Sequence, residues 1–368
     1  VRRVLPFQTQ AVPNPSEKYL NLERILVKFI VSLTVLLCVW ASRAQALSFA
    51  TEAMHESIAK AYRFVTSKIP DPRDRAVCPI HVNYVPLDGY VGFTPRKTTV
   101  SECPDVIEIT SRLEHDWKSG LVMAHELMHV FRHAANANEI AWLDEGIAKL
   151  VEHQYLGIGP ITLQDDLLKL SEFALENRHD AYRDNSPAYV TAYFFSLYLY
   201  RHLGGDEFLK ALISSPLSGW DAIEDVALKL KRRGVIAIDE KFLHRDSLWT
   251  HFAFALLLND SLPAKNDLFK LDERYNAVKD TRAALLRSSR DETLEPGWRI
   301  RYFRWPLKGK DFSRPNDSNT ALYLVRAGSN FSDFKVQAVS RKSFASAKST
   351  PGELNSGFNY LIEVSVGD

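Results

Sequence analysis

The stretch that most limits what this 368-residue chain can become is residues 120–133, Gly-Leu-Val-Met-Ala-His-Glu-Leu-Met-His-Val-Phe-Arg-His. Leu121, Val122, Met123, Ala124, Leu127, Met128, Val130 and Phe131 are apolar. No proline interrupts them and glycine stands only at the start, so the run predicts a buried helix. Inside it sits His125-Glu126-Leu127-Met128-His129, an H-E-x-x-H motif. Positions four apart share one helix face, which sets both imidazoles side by side. There they can hold one zinc ion through neutral nitrogens. Glu126 lies near the same face, in place to act on a metal-activated water. Chance alone yields the motif in roughly 1 of 100 chains of this length, so it needs a third ligand before it carries a function.

Residues 141–152 read Ala-Trp-Leu-Asp-Glu-Gly-Ile-Ala-Lys-Leu-Val-Glu. The pair HELMH and WLDEGIA resembles the gluzincin zinc peptidases, in particular the aminopeptidase-N-related, peptidase-MA-like group. In that family a second helix supplies a glutamate from a W-L-x-E-G-x-A pattern. The resemblance implies that Glu145 is the third ligand after His125 and His129, for one Zn²⁺ per chain. Three protein ligands leave a position open for water, as in catalytic rather than structural sites. Residues 130–144 separate His129 from Glu145, a little fewer than in aminopeptidase N enzymes, which a shorter connection explains. The metzincin pattern is excluded, because Arg132 replaces its glycine and Ala135 its last histidine. His133 reads as a solvated residue or as one supporting the ligands from behind, since a fourth protein ligand would close the site. Some gluzincins carry an aspartate four residues after the ligand glutamate, where this chain has Lys149. Glu152 or Asp144 takes over that support, or the support differs.

The resemblance implies more. A strand just ahead of the zinc helix should form the sheet edge that aligns the substrate, and Val106–Thr110 stands in that place. The segment 186–205 is similar to one in which a tyrosine opens a helix ending in Leu-Gly. Counting back from Leu203-Gly204 puts Tyr189 at the catalytic tyrosine's position, where a phenol would donate to the oxyanion. The family's Y-x-K-G pattern is broken by Thr191 and Ala192, and Tyr193 is the runner-up. Tyr198 and Tyr200 read as core packing. The G-x-M-E-N signature that grips a free amino terminus is absent, which weakens an exopeptidase reading.

The rest of the chain frames this centre. Lys and Arg number 46 against 45 Asp and Glu, a net charge of +1 that gives no reason to expect nucleic acid. The apolar run 29–40, preceded by Arg24 and Lys28 and followed by Ala44-Gln45-Ala46, predicts a signal peptide over 1–46. The run is shorter than the ~20 residues of a bilayer span, so no stable membrane span is expected after cleavage. An uncleaved anchor is the alternative. Export would leave Cys78 and Cys103 as a candidate disulfide, with two buried thiols the alternative.

A helix is predicted over 47–69 and strands at 80–85, 90–94 and 106–110. A short helix follows at 162–176, and 3–4 periodicity continues from Asp206 to about Ala284. Beyond Glu295-Pro-Gly297, alternating segments predict a small β domain over 295–368. The expected fold is therefore α+β. A gluzincin, thermolysin-like domain over 47–290, with a small mixed sheet plus helices, precedes an antiparallel β-sandwich-like domain. The function expected is an exported zinc peptidase acting on peptides or proteins, periplasmic or secreted. The alternatives are a secreted binding or scaffold protein on a peptidase fold, and a zinc hydrolase with a non-peptide substrate.

Overall fold

The protein is described from a computed structural model, whose described residues are 56–95, 99–114, 116–157, 173–175, 186–258, 298–304, 320–327, 334–339 and 360–366. The leader expected over 1–46 and the helical stretch expected over 259–284 lie outside them.

The chain enters through a helix α1 (56–68), whose Ala61 and Val65 are fully buried. Three strands follow: β1 (Ile80–Val85), β2 (Gly92–Phe93) and β3 (Asp105–Thr110). They form a mixed sheet of order β1-β3-β2, with β1 parallel and β2 antiparallel to β3. The strand read as the substrate-facing edge, Val106–Thr110, is thus the centre of the sheet. It pairs with β1 on one side and β2 on the other, and its alternating burial, with Ile107 and Ile109 fully enclosed, is that of a strand with one face on the core. Among the described strands, the edge that contacts the helix of the H-E-x-x-H motif is β2. Cys78, just ahead of β1, and Cys103, just ahead of β3, are joined by a disulfide.

Next come α2 (Ser119–His133) and α3 (Ala141–Leu156), which pack along one another. All of α2 but Leu121 is buried, so its polar residues must find partners inside the protein. Arg132 does so by donating through Nε to Glu139 Oε2 at 2.6 Å and through its other nitrogens to the Ser215 and Leu217 carbonyls. Glu139 Oε1 accepts from Ser218 Oγ at 2.7 Å and from the Gly219 and Ile140 amides at 2.8 Å. One buried ion pair thereby fastens the α2–α3 connection to the segment 213–219. Helix α3 stops at Gly157, whose φ of +69° is the left-handed conformation that glycine adopts without strain.

Helix α4 (Pro187–His202) starts where Ser186 caps the Tyr189 amide at 3.2 Å and proline occupies the first turn. Helices α5 (Asp206–Ile213), α6 (Gly219–Arg232) and α7 (Arg245–Leu258) complete the helical body. Its core is aromatic: Trp142 of α3 meets Phe195 and Trp220 at 5.8 and 5.3 Å, and Phe195 meets Trp249 at 5.2 Å.

The second sheet has the order β4-β5-β8-β6-β7, with β4 (Phe173–Leu175), β5 (Trp298–Arg304), β6 (Thr320–Ala327), β7 (Phe334–Val339) and β8 (Tyr360–Ser365), all pairings antiparallel. Two expectations change here. Residues 173–175, expected to end a helix, are a strand, because they pair with Trp298–Ile300 of a segment far along the chain. The described strands also form one sheet rather than a sandwich. Helix α7 covers one face instead: Tyr302 Oη donates to the Ala253 carbonyl at 2.7 Å, and Phe254 meets Tyr323 edge-on at 5.2 Å.

Candidate metal centre

Three histidines, His125, His129 and His133, follow one another at four-residue steps along α2 and are all buried. Across from them α3 presents Asp144, Glu145 and Glu152. His125 Nε2 and His129 Nε2 face each other at 3.3 Å. Glu145 Oε2 lies 3.5 Å from the first nitrogen and 4.0 Å from the second. The structure thus brings His125, His129 and Glu145 into one buried cluster able to chelate a metal ion. The three atoms lie close enough to share one cation. Two imidazoles and a carboxylate are a zinc donor set.

The far side of each ring is backed by its own carboxylate. Glu152 Oε2 accepts from His125 Nδ1 at 3.2 Å, and Lys149 Nζ donates to the other Glu152 oxygen at 2.8 Å. Asp144 Oδ1 lies 3.1 Å from His129 Nδ1, within ion-pair reach but off the line of a well-formed hydrogen bond. Asp144 Oδ2 accepts from His133 Nε2 at 3.1 Å. Both carboxylates left open by the sequence therefore act, one on each histidine. Glu152 holds its ring with Nδ1 outward and Nε2 toward the centre, while Asp144 lies on the Nδ1 side of His129 within ion-pair reach. Lys149, where the family pattern has an aspartate, serves Glu152 instead.

The charge balance follows from this geometry. Burial disfavours a charged His125, but hydrogen bonds with Glu145 and Glu152 outweigh it and raise the metal-free imidazole to about 9. For His129 burial is again overcome, here by the charges of Asp144 and Glu145, to about 10. Burial would push Asp144 up, yet His129 and His133 hold it well below the usual carboxylate range. Glu152, also opposed by burial, is drawn down to about 2 by His125 and Lys149. The pocket is thus built to keep positive charge between its rings.

Glu126 stands beside this cluster. Burial raises its pKa, while His129, His125 and a hydrogen bond from Thr94 Oγ1, at 2.8 Å from Oε2, work the other way. A raised carboxylate pKa suits a group that must both accept and return a proton. Gly92 of β2 leaves it room: a Cβ there would lie 2.6 Å from Glu126 Oε1.

Tyr189, at the start of α4, has its ring centroid 6.3 Å from that of His125, with Lys149 Nζ 5.5 Å over its face. Burial, then Glu145, Glu152 and Glu126, raises its phenol well above the ordinary value, so it stays a donor. Tyr193 is turned away: it is buried in the core with its ring 4.6 Å from that of His153. Tyr198 is buried against Phe195, and Tyr200 donates to Asp206 at 2.9 Å. His81 is exposed on β1.

Sequence reasoning missed Gly92 and Thr94. Nothing in their local pattern marks them; only the β2–α2 contact does. Glu152 carried a signal, since it stands seven residues after Glu145 on the same face of α3. Among the described residues no helix is long and apolar enough to cross a membrane. No protein-family model and no curated protein matches this chain.

Proposed function

We propose that the protein is an exported zinc-dependent peptidase of the gluzincin kind. The observation that carries the reading is the convergence of His125 Nε2, His129 Nε2 and Glu145 Oε2, with Glu126 alongside. His125, His129 and Glu145 would hold a zinc ion, which would supply a Lewis acid able to polarise a carbonyl and to lower the pKa of water toward about 7. Glu126, steadied by Thr94, takes the water's proton and passes it to the leaving amine. Tyr189, protonated at any working pH, donates to the oxyanion that develops on the carbonyl. Glu152 and Asp144 keep the two imidazoles in their ligating tautomer.

A peptide rather than another substrate is favoured by β2. Among the described residues it is the last strand of its sheet, and its Gly92 faces Glu126. An extended chain hydrogen-bonding to that free edge would run past the general base. Export is supported by the signal-like leader and by the Cys78–Cys103 disulfide.

The test is metal analysis together with hydrolysis of a mixed peptide library. Purified protein should carry about one zinc per chain. Peptide cleavage should vanish in Glu126→Gln while the zinc stays. Zinc without cleavage in the wild type would leave a non-peptide hydrolase or a binding protein; absence of zinc would end the enzymatic reading altogether.

A further inference from the structure

The third histidine of the stripe is not needed as a ligand in the reading above. His133 is 4% exposed and ends α2. Its ring stacks on His129 with centroids 6.0 Å apart and an interplanar angle of 29°. Its Nε2 donates to Asp144 Oδ2 at 3.1 Å, while Nδ1 is buried with no hydrogen-bond partner. A core ring chosen for packing alone would be apolar, because an unmatched buried nitrogen is unfavourable. What the ring gains in exchange is its hold on Asp144.

Asp144 has one oxygen for each of two histidines. The contact with His129 is off line; the contact with His133 is the well-formed one. Asp144 also adjoins Glu145 on the first turns of α3, so any swing of Asp144 disturbs a ligand on one side and a ligand's backing on the other. We propose that His133 is a positioning residue for the metal centre, acting through Asp144 to fix the ring orientation and tautomer of His129. This rests on the zinc reading, and it assigns to His133 a job that neither of the other two histidines in the stripe performs. At the opposite end of the row Lys149 holds Glu152 behind His125 in the same manner.

The experiment uses the full chain loaded with Zn²⁺. His133→Phe keeps the ring and its stacking but removes the donor. His133→Gln removes the ring but places an amide N–H near the position of Nε2. Zinc release to a chromophoric chelator should be about ten-fold or more faster in His133→Phe, the lower end of the range for groups that support a ligand from behind. His133→Gln should return the rate to within about two-fold of wild type. The visible spectrum of the Co²⁺-substituted protein should change in His133→Phe and recover in His133→Gln. The melting temperature of the metal-free proteins separates packing from positioning. If both variants release zinc equally fast and melt equally low without metal, His133 acts by packing and the proposal fails. If His133→Phe releases zinc at the wild-type rate, the positioning role falls while the zinc reading stands. Two zinc ions per chain, one of them lost in His133→Phe, would make His133 a ligand and overturn the proposal in another way. A wild-type protein that holds no zinc would remove both readings together.

Discussion

Gly92 offers the sharpest separation of binding from chemistry. Its backbone lies outside the positive-φ region, so alanine is compatible with the chain itself. The space is not compatible. An added Cβ would lie 2.3 Å from Val122 Cγ1, 2.6 Å from Glu126 Oε1 and 3.1 Å from Glu126 Cγ. Ordinary contact begins at 3.4 Å, so the carboxylate must retreat by about 0.8 Å, the difference between 3.4 and 2.6 Å. A displacement of about 1 Å in a reacting group lowers a rate by roughly 10²-fold. The atoms nearest the new methyl belong to Val122 and Glu126, not to His125, His129 or Glu145. Gly92→Ala should therefore keep about one zinc per chain while cleaving a peptide library about 100-fold more slowly. Crowding Val122 should also destabilise the fold by about 1–3 kcal/mol, read as a lower melting temperature. Cleavage within about three-fold of wild type at equal zinc content would refute the reasoning, because Glu126 would then not need the place Gly92 leaves for it. Loss of zinc would refute it as well, by showing that the collision spreads to the ligands.

Other consequences are independent of the substrate. Arg132→Met removes the cation facing the buried Glu139 carboxylate, which keeps its hydrogen bonds from Ser218, Gly219 and Ile140, and should destabilise the protein by about 3–5 kcal/mol in urea unfolding; a double change with Glu139→Gln should recover much of that loss. Reducing the Cys78–Cys103 bridge, which closes a separation of 25 residues, should lower unfolding free energy by about 3–4 kcal/mol, provided the native geometry is otherwise kept. In the metal-free protein, stability should fall on both sides of pH 6.5. Burial and then Lys149 lower His153 to about 4 from 6.5, so its contribution is present above pH 6.5 and is lost as pH drops through that window. His125 and His129 are raised to about 9 and about 10, so theirs is complete below pH 6.5 and is lost as pH climbs through those values. Zinc takes the place of those protons, so the loaded protein should lose the alkaline fall; thermal melts from pH 4 to 10 with and without metal would check the pair.

What the sequence disclosed, and what it hid, divides along a physical line. Helical period and glycine punctuation are local, so α2, α3 and the helices from α4 to α7 were legible, as were the residues His125, His129 and Glu145 that now stand together. Partnership between distant segments is not local. The stretch around Phe173 has helical spacing, yet it became a strand because β5 offered a ladder some 120 residues away. Strand order is likewise invisible in a strand's own residues: β3 reads as an edge from its place ahead of α2, although β2 lies outside it. The backing of the ligands fell between the two cases. Glu152 and Asp144 were visible as candidates, but assigning one to each ring required the crossing of α2 and α3.

A second close approach, between α3 and α4, depends on the residue after Glu145. Gly146 has no space for a side chain: a Cβ would meet Ser196 Oγ at 2.5 Å, the Ala192 carbonyl oxygen at 2.6 Å and its carbon at 2.9 Å. Helices α3 and α4 therefore touch backbone to backbone immediately beside Glu145, and this contact brings Tyr189 at the head of α4 toward His125. Alanine at 146 would gain about 1 kcal/mol in helix propensity over glycine. Against that stands overpacking of about 1–3 kcal/mol, at its upper end because two of the three obstructing atoms are main chain and cannot rotate aside. Overpacking wins, and the helices must part. Gly146→Ala should thus lower both the melting temperature and the affinity for zinc, since Glu145 moves with its helix. Gly92→Ala, by contrast, leaves zinc in place. A Gly146→Ala protein that binds zinc as tightly as wild type would mean that Glu145 is held by something other than this helix contact, and the account of how the third ligand is placed would have to be abandoned.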